Sequence, residues 1–141
     1  MGASYERKLE GLDENLAFQR PLDNLHSVAE IISHLIFWRE EAKEKILTGK
    51  GTKTDDDPGN WLSNNELKTM GWKSLMEKHY ASLDKLKQSL RSRNDDFLRE
   101  EYFDPDFKGM FTYQFLLDGM IHHDLYHLGQ IGIIIKLLLK K

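Results

Sequence analysis

Apolar residues recur at helical spacing over four stretches of the chain. In the first, between residues 4 and 20, Leu9, Leu12 and Leu16, with Tyr5, fall on one face. Glu6, Arg7, Glu10 and Glu14 lie elsewhere. Gly11 is expected to weaken this helix without ending it, and Pro21 to mark the break. The second stretch is the clearest. Ser27 and Glu30 have capping-box spacing, and Ile31, Leu35, Trp38, Ala42 and Ile46 (or Lys45 through its stem) repeat along one face. Thr48-Gly49 stops it. Arg39, Glu40, Lys43 and Glu44 are assigned to the solvated side, and His34 falls within the apolar stripe.

A third helix is predicted from Ser63 or Asn64 to Leu90. It has a looser stripe of Leu67, Met70, Leu75, Tyr80 or His79, Leu83, Leu86 and Leu90, with an irregularity or close contact at Gly71. The fourth starts near Thr112 and runs almost to the end of the chain. Leu116, Met120, His123, His127, Gln130 or Ile131, Ile134 and Leu138 make its inward face, and Gly129 and Gly132 leave room for a neighbouring backbone. Residues 49–63 read as a loop. Its Asp55-Asp56-Asp57 run lacks the alternating ligands of a calcium loop and reads as a solvated turn. Trp61 in that loop is expected to fold back over the core or a pocket mouth. Residues 91–96 read as an exposed turn. Residues 97–111 form an aromatic-rich connection in which a short hairpin is considered but not assigned. No linker, repeat or low-complexity segment divides residues 1–141, so the expectation is one all-α domain, a four-helix bundle with one long crossover.

Composition narrows the chemistry. The formal net charge of −3 gives no reason to expect nucleic acid. The absence of cysteine excludes disulfides, thiolate ligands and cysteine nucleophiles, so any protein metal ligand must be His, Asp or Glu. It is also compatible with a reducing cytoplasm. The N-terminus has no apolar signal core, and its Met1-Gly2 start fails the acylation pattern at Glu6. The longest apolar run, Ile131 to Leu139, is interrupted by Gly132 and Lys136 and falls far short of the ~20 residues of a membrane span. A cytoplasmic protein with no membrane association is expected.

The histidines separate by angle. His123 and His127 are four residues apart and lie one above the other on a helix, a spacing at which two imidazoles grip one metal ion. His122 stands about 140° from His127 and cannot share that metal. His26 precedes the capping residue, and His79 sits in a mixed context. His34 is the remaining histidine on an inward face. Pattern alone leaves open both a metal site and three hydrogen-bonded core histidines. Asp124 is about 100° from His123, which suits a supporting role better than ligation. Trp38 and Gln130, one turn from His34 and His127, are candidates for substrate contacts, with core packing an equal reading for Trp38.

Two segments carry a family resemblance. SVAEIISHLIFWRE at residues 27–40 resembles the second helix of the DinB-like (damage-inducible, YfiT-like) metalloproteins. HDLYHLGQI at residues 123–131 resembles their C-terminal His-Asp-x-x-His-x-Gly-Gln pattern. The first and third helices match only in kind. The resemblance implies a four-helix bundle with up-down-down-up connectivity, in many members a homodimer. It also implies a metal site of one His from the second helix and two from the last, here His34, His123 and His127. Members of known activity include thiol S-transferases using bacillithiol or mycothiol and a mycothiol-dependent maleylpyruvate isomerase. The family name reflects regulation by DNA damage and does not imply DNA binding.

Three histidines without an evident fourth protein ligand leave a coordination position open, as catalytic sites do. Such a site can hold a water and lower its pKa, or bind and deprotonate a thiol. Zinc suits it first, with nickel or iron (and copper) also compatible with imidazole. The first expectation is therefore a metal-dependent enzyme acting on a small molecule, a thiol-dependent S-transferase or a related hydrolase, with a low-molecular-weight thiol as co-substrate of the former. Trp38, Trp61 or Trp72 would bound its apolar pocket. The alternative is a non-catalytic metal- or ligand-binding stress-response bundle, supported by the lack of a further acid, base or nucleophile on the histidine faces.

Overall fold

The computed structural model describes residues 4–140, and the Met1-Gly2 start lies outside them. The first predicted helix is two short ones, α1 (Tyr5–Leu9) and α2 (Glu14–Phe18). Gly11 does end the helix. It adopts φ +68°, and Asp13 then caps α2 by accepting the Asn15 N–H at 2.7 Å. The second, α3 (Val28–Thr48), has the predicted capping box. Glu30 N–H donates to Ser27 Oγ at 3.1 Å, and Ser27 N–H donates to Glu30 Oε2 at 2.7 Å. Gly49 closes α3 in the left-handed region at φ +76°.

The third helix breaks at Gly71 into α4 (Asn64–Met70) and α5 (Trp72–Leu90). Gly71 has φ +89°, a value side chains resist. On α5 the structure selects His79, fully buried, over exposed Tyr80. A 3-10 turn over Asp95–Arg99 leads into an antiparallel hairpin, β1 (Glu101–Asp104) and β2 (Gly109–Thr112), and then α6 (Tyr113–Leu139). The hairpin corrects the all-α expectation. Tyr102 and Asp104 point inward while Glu101 and Phe103 face out, the period-two alternation of a strand. Phe103 also exchanges backbone hydrogen bonds with Gly49 and Gly51, pinning the hairpin to the end of α3.

The described chain is mostly helical, with α3 at the centre, packed against α2, α4, α5 and α6. Two apolar clusters hold it. One gathers Ile31, Leu35, Leu67, Leu75, Ile131 and Ile134, and the other Ala42, Ile46, Phe97, Tyr102, Tyr113 and Leu116. Both α3 and α6 contribute to each cluster. Between the two, both helices turn polar residues inward. Arg39, assigned to the solvated side by periodicity, is fully buried there. No backbone from elsewhere in the described chain packs against Gly129 or Gly132. A Cβ at Gly129 would meet nothing within 4 Å, and one at Gly132 would meet the Lys8 side chain. No helix among the described residues is long and apolar enough to cross a membrane.

Candidate metal centre

His34 on α3 and His123 and His127 on α6 meet between the two apolar clusters. One ring nitrogen from each lies within 4.8 Å of the others. Nε2 of His123 stands 3.0 Å from Nε2 of His34 and 3.1 Å from Nε2 of His127. Nitrogens bound tetrahedrally to one zinc ion would sit about 3.4 Å apart. Among the described residues, no other group of three His, Asp or Glu side chains converges in this way.

The outer nitrogens fix the tautomers. His34 Nδ1 is 3.2 Å from the Asn60 carbonyl, which can only accept, so that nitrogen carries the proton. His127 Nδ1 is 2.7 Å from Gln130 Oε1, whose amide nitrogen in turn donates to the Tyr126 hydroxyl. Both rings therefore present bare Nε2 lone pairs to His123. A neutral His123 has at most one Nε2 proton to offer the two of them. The trio cannot satisfy itself with protons, and a cation between the rings resolves it. The donor set fits a transition metal.

Electrostatics agree. Burial, reinforced by the His127 and His123 rings, lowers the His34 pKa to about 4. Burial, with His127 and Arg39, lowers His123 to about 4. Burial also lowers His127, against the opposing effects of Gln130 and Asp124. Neutral imidazole is the form that binds metal.

Two aromatic side chains flank the site. Trp61 folds back from its loop and stacks between His34 and His26, 3.9 Å from each ring centroid. Trp38 meets His34 edge-on and lines a cavity of about 440 Å³ that opens onto His34 and His123. Leu116, Met120 and Phe115 continue its wall. Gln130 supports the His127 ring and is not among the residues lining this cavity. His122 is exposed, and His26 packs on Trp61.

Behind the histidines lies a buried polar node. Arg39 Nη2 donates to Asp124 Oδ2 at 3.0 Å, and Arg39 Nη1 contacts His79 Nδ1 at 2.8 Å. The Tyr5 hydroxyl donates to the Asp124 carbonyl. Asp124 pairs with Arg39, makes no hydrogen bond to the three histidines and acts on His127 only through space. The i, i+4 spacing pointed to His123 and His127 and the apolar stripe to His34, and the family resemblance grouped the three, whereas Asn60 and Arg39 left no sequence signal. One came from a loop and the other from the face read as solvated.

A model of the DinB superfamily matches residues 2–131. Among solved structures the chain is similar to YfiT from Bacillus subtilis, described as a probable metal-dependent hydrolase with an unusual four-helix bundle topology. The similarity has a TM-score of 0.66 at 14% identity and covers 94% of this chain and 78% of that one. No curated protein sequence matches the chain.

Proposed function

The chain belongs to the DinB superfamily, and on that premise we propose that it is a metal-dependent enzyme acting on a small molecule held in the cavity between α3 and α6. The observation that carries this reading is the pair of bare Nε2 lone pairs of His34 and His127 directed at His123. A bound transition metal, zinc first and nickel or iron as alternatives, supplies Lewis acidity that lowers the pKa of a water or thiol. The three histidines hold the ion. Asn60 and Gln130 orient two of the rings, and Trp61 covers one side. Trp38, Met120 and Leu116 offer an apolar wall to the substrate, with Trp38 its contact nearest His34.

Whether water or a thiolate attacks separates two versions of this function. Water gives hydrolysis, the class ascribed to YfiT. A low-molecular-weight thiol gives the S-transferase implied by the family resemblance. Metal analysis of protein purified without a His tag, followed by turnover assays on activated esters and generic electrophiles with and without bacterial thiols, tests the proposal. We expect one transition metal per site, lost in His34→Ala and His127→Ala, and metal-dependent turnover. Metal-free protein would sink the reading. Stoichiometric metal that stabilises the fold with no turnover would replace it with the non-catalytic binding module.

We place this activity in a single-domain, cytoplasmic homodimer with up-down-down-up helices. Ile121, Leu125 and Ile133 on the outer face of α6 are well exposed and support a partner there. The lack of cysteine is compatible with the cytoplasm.

A further inference from the structure

The cavity does not end at the histidines. Its far end is lined by Lys45, Tyr102 and Asp104. Lys45 follows His34 by eleven residues on α3, so the two share a face, about 20° apart and about 16 Å along the axis. Between them the lining is apolar, with Leu116 and Met120 of α6 opposite Trp38. The space is a groove with a candidate metal at one end and a buried ammonium at the other.

That ammonium is unusual. Lys45 is 4% exposed and Asp104 2%. Lys45 Nζ donates to Asp104 Oδ2 at 2.8 Å and lies 3.8 Å from Glu41 Oε1, beyond hydrogen-bond distance. An ammonium has three donors; one is taken by Asp104, a second is drawn toward Glu41, and Nζ stands 5.3 Å from the Tyr102 ring centroid, so hydrogen-bonding capacity is left for a group in the groove. The acceptors around it are better filled. Asp104 also receives the Tyr102 hydroxyl and the backbone N–H groups of Asp106 and Phe107. Glu41 receives the N–H groups of Thr52 and Lys53. The charge of Lys45 is already matched by these carboxylates, and Asp55 and Asp106 add negative charge to the lining. An incoming carboxylate would meet net repulsion, while a neutral oxygen acceptor would meet only the free donors.

We propose that Lys45 is a specificity-determining residue that donates to a neutral carbonyl or amide oxygen at the far end of an elongated, apolar-centred substrate whose reacting group sits at His34, His123 and His127. This rests on the metal-dependent reading and adds the substrate class to it.

The test uses cobalt(II)-loaded protein and hydroxamates, which bind metal directly, followed by the visible spectrum. Acetohydroxamate probes the metal alone. Longer alkyl hydroxamates ending in carboxamide, carboxylate, ammonium or methyl probe the groove. At the chain length that spans it, the carboxamide is expected to bind about tenfold or more tighter than the methyl analogue. Lys45→Met should erase that advantage and leave acetohydroxamate unchanged. Because Lys45→Met removes a buried ion-pair partner, Gly119→Phe serves as the second variant. Gly119 lines the groove one turn before His123, and a Cβ there meets nothing within 4 Å. It should block all long ligands and spare acetohydroxamate. No spectral response to acetohydroxamate defeats the metal reading and this proposal with it. A normal acetohydroxamate response with no carboxamide preference, or with carboxylate or ammonium binding tightest, overturns the assignment of Lys45 alone. So does retention of the preference in Lys45→Met or in Gly119→Phe.

Discussion

Arg39 Nη2 lies 3.0 Å from Asp124 Oδ2 and joins the middle of α3 to the residue that follows His123. The guanidinium is fully buried and the carboxylate a quarter exposed. The same guanidinium reaches His79 on α5 and sits 5.4 Å above the Tyr5 ring on α1. One side chain therefore ties four helices together directly behind the histidines and fixes the rotation of α6 that turns His123 and His127 toward His34.

Arg39→Met should consequently destabilise the protein strongly. Removing one partner of a buried pair costs about 3–5 kcal/mol when the other charge is left unpaired, and the partial exposure of Asp124 places this case at the lower end. Adding Asp124→Asn should recover part of that loss, because the stranded charge is then gone. Urea denaturation of both single variants and the double variant measures the coupling. Strict additivity would show that the pair does not act as a unit.

Acid should unfold the protein through its buried histidines. Burial, then the adjacent Arg39 charge, lowers the His79 pKa to about 3, against an ordinary value near 6.5. Between those values the unfolded chain binds a proton that the native state refuses. The contribution of His79 to stability is complete above about pH 6.5 and is lost progressively as pH falls toward 3, at up to about 1.4 kcal/mol per pH unit. His34 and His123, each at about 4, act in the same direction. Denaturation midpoints should hold steady near pH 7.5 and fall progressively from about pH 6.5 to 4, less steeply in His79→Gln. An identical slope in that variant would remove His79 from the explanation.

Periodicity located α3 and α6 because both bury long apolar stripes against several neighbours, and the capping box at Ser27 and Glu30 appears as written. It erred at Gly11 and Arg39 for different reasons. At Gly11 a left-handed backbone, followed by a good cap at Asp13, outweighed the continuing leucine spacing. At Arg39 the side chain was counted as solvated because it is charged, yet the burial of His79 and the position of Asp124 give that charge partners inside. The hairpin was only half legible, since four-residue strands carry too little alternation to outweigh a loop reading. Of the candidate site, the two helical stripes pointed to the three histidines, and the family resemblance was needed to group them. Asn60 could not be read, because its carbonyl meets His34 only when the loop packs against α3, and Lys45, read on the inward stripe through its stem, gave no sign of its pairing with Asp104 on the hairpin.

Asp104 should be as sensitive as Arg39 but separable by isostere. It accepts from Lys45 and from the turn amides of Asp106 and Phe107 within a buried environment. Asp104→Ala leaves Lys45 only the longer Glu41 contact at 3.8 Å and removes the acceptor of the turn amides, and should cost about 3 kcal/mol, the low end for a broken buried pair. Asp104→Asn keeps an acceptor for the turn amides and should cost measurably less. Thermal unfolding of both variants makes the comparison. Equal losses would mean that the turn amides contribute nothing beyond the ion pair.

On the metal-dependent reading, Gln130 should tune metal affinity without touching a ligand in the groove. Its Oε1 accepts the His127 Nδ1 proton at 2.7 Å and so holds the opposite nitrogen free for coordination. Gln130→Leu removes that acceptor while preserving volume near the ring. His127 can then take either tautomer and rotate, and metal affinity should fall about 10–100-fold, as when other outer partners of histidine ligands are lost. Competition against a chelator of known affinity gives the number. Stability of the metal-free protein should change little, because Gln130 is only half-buried. Gln130→Glu retains an acceptor and should restore most of the affinity, which a purely packing role for this residue would not produce.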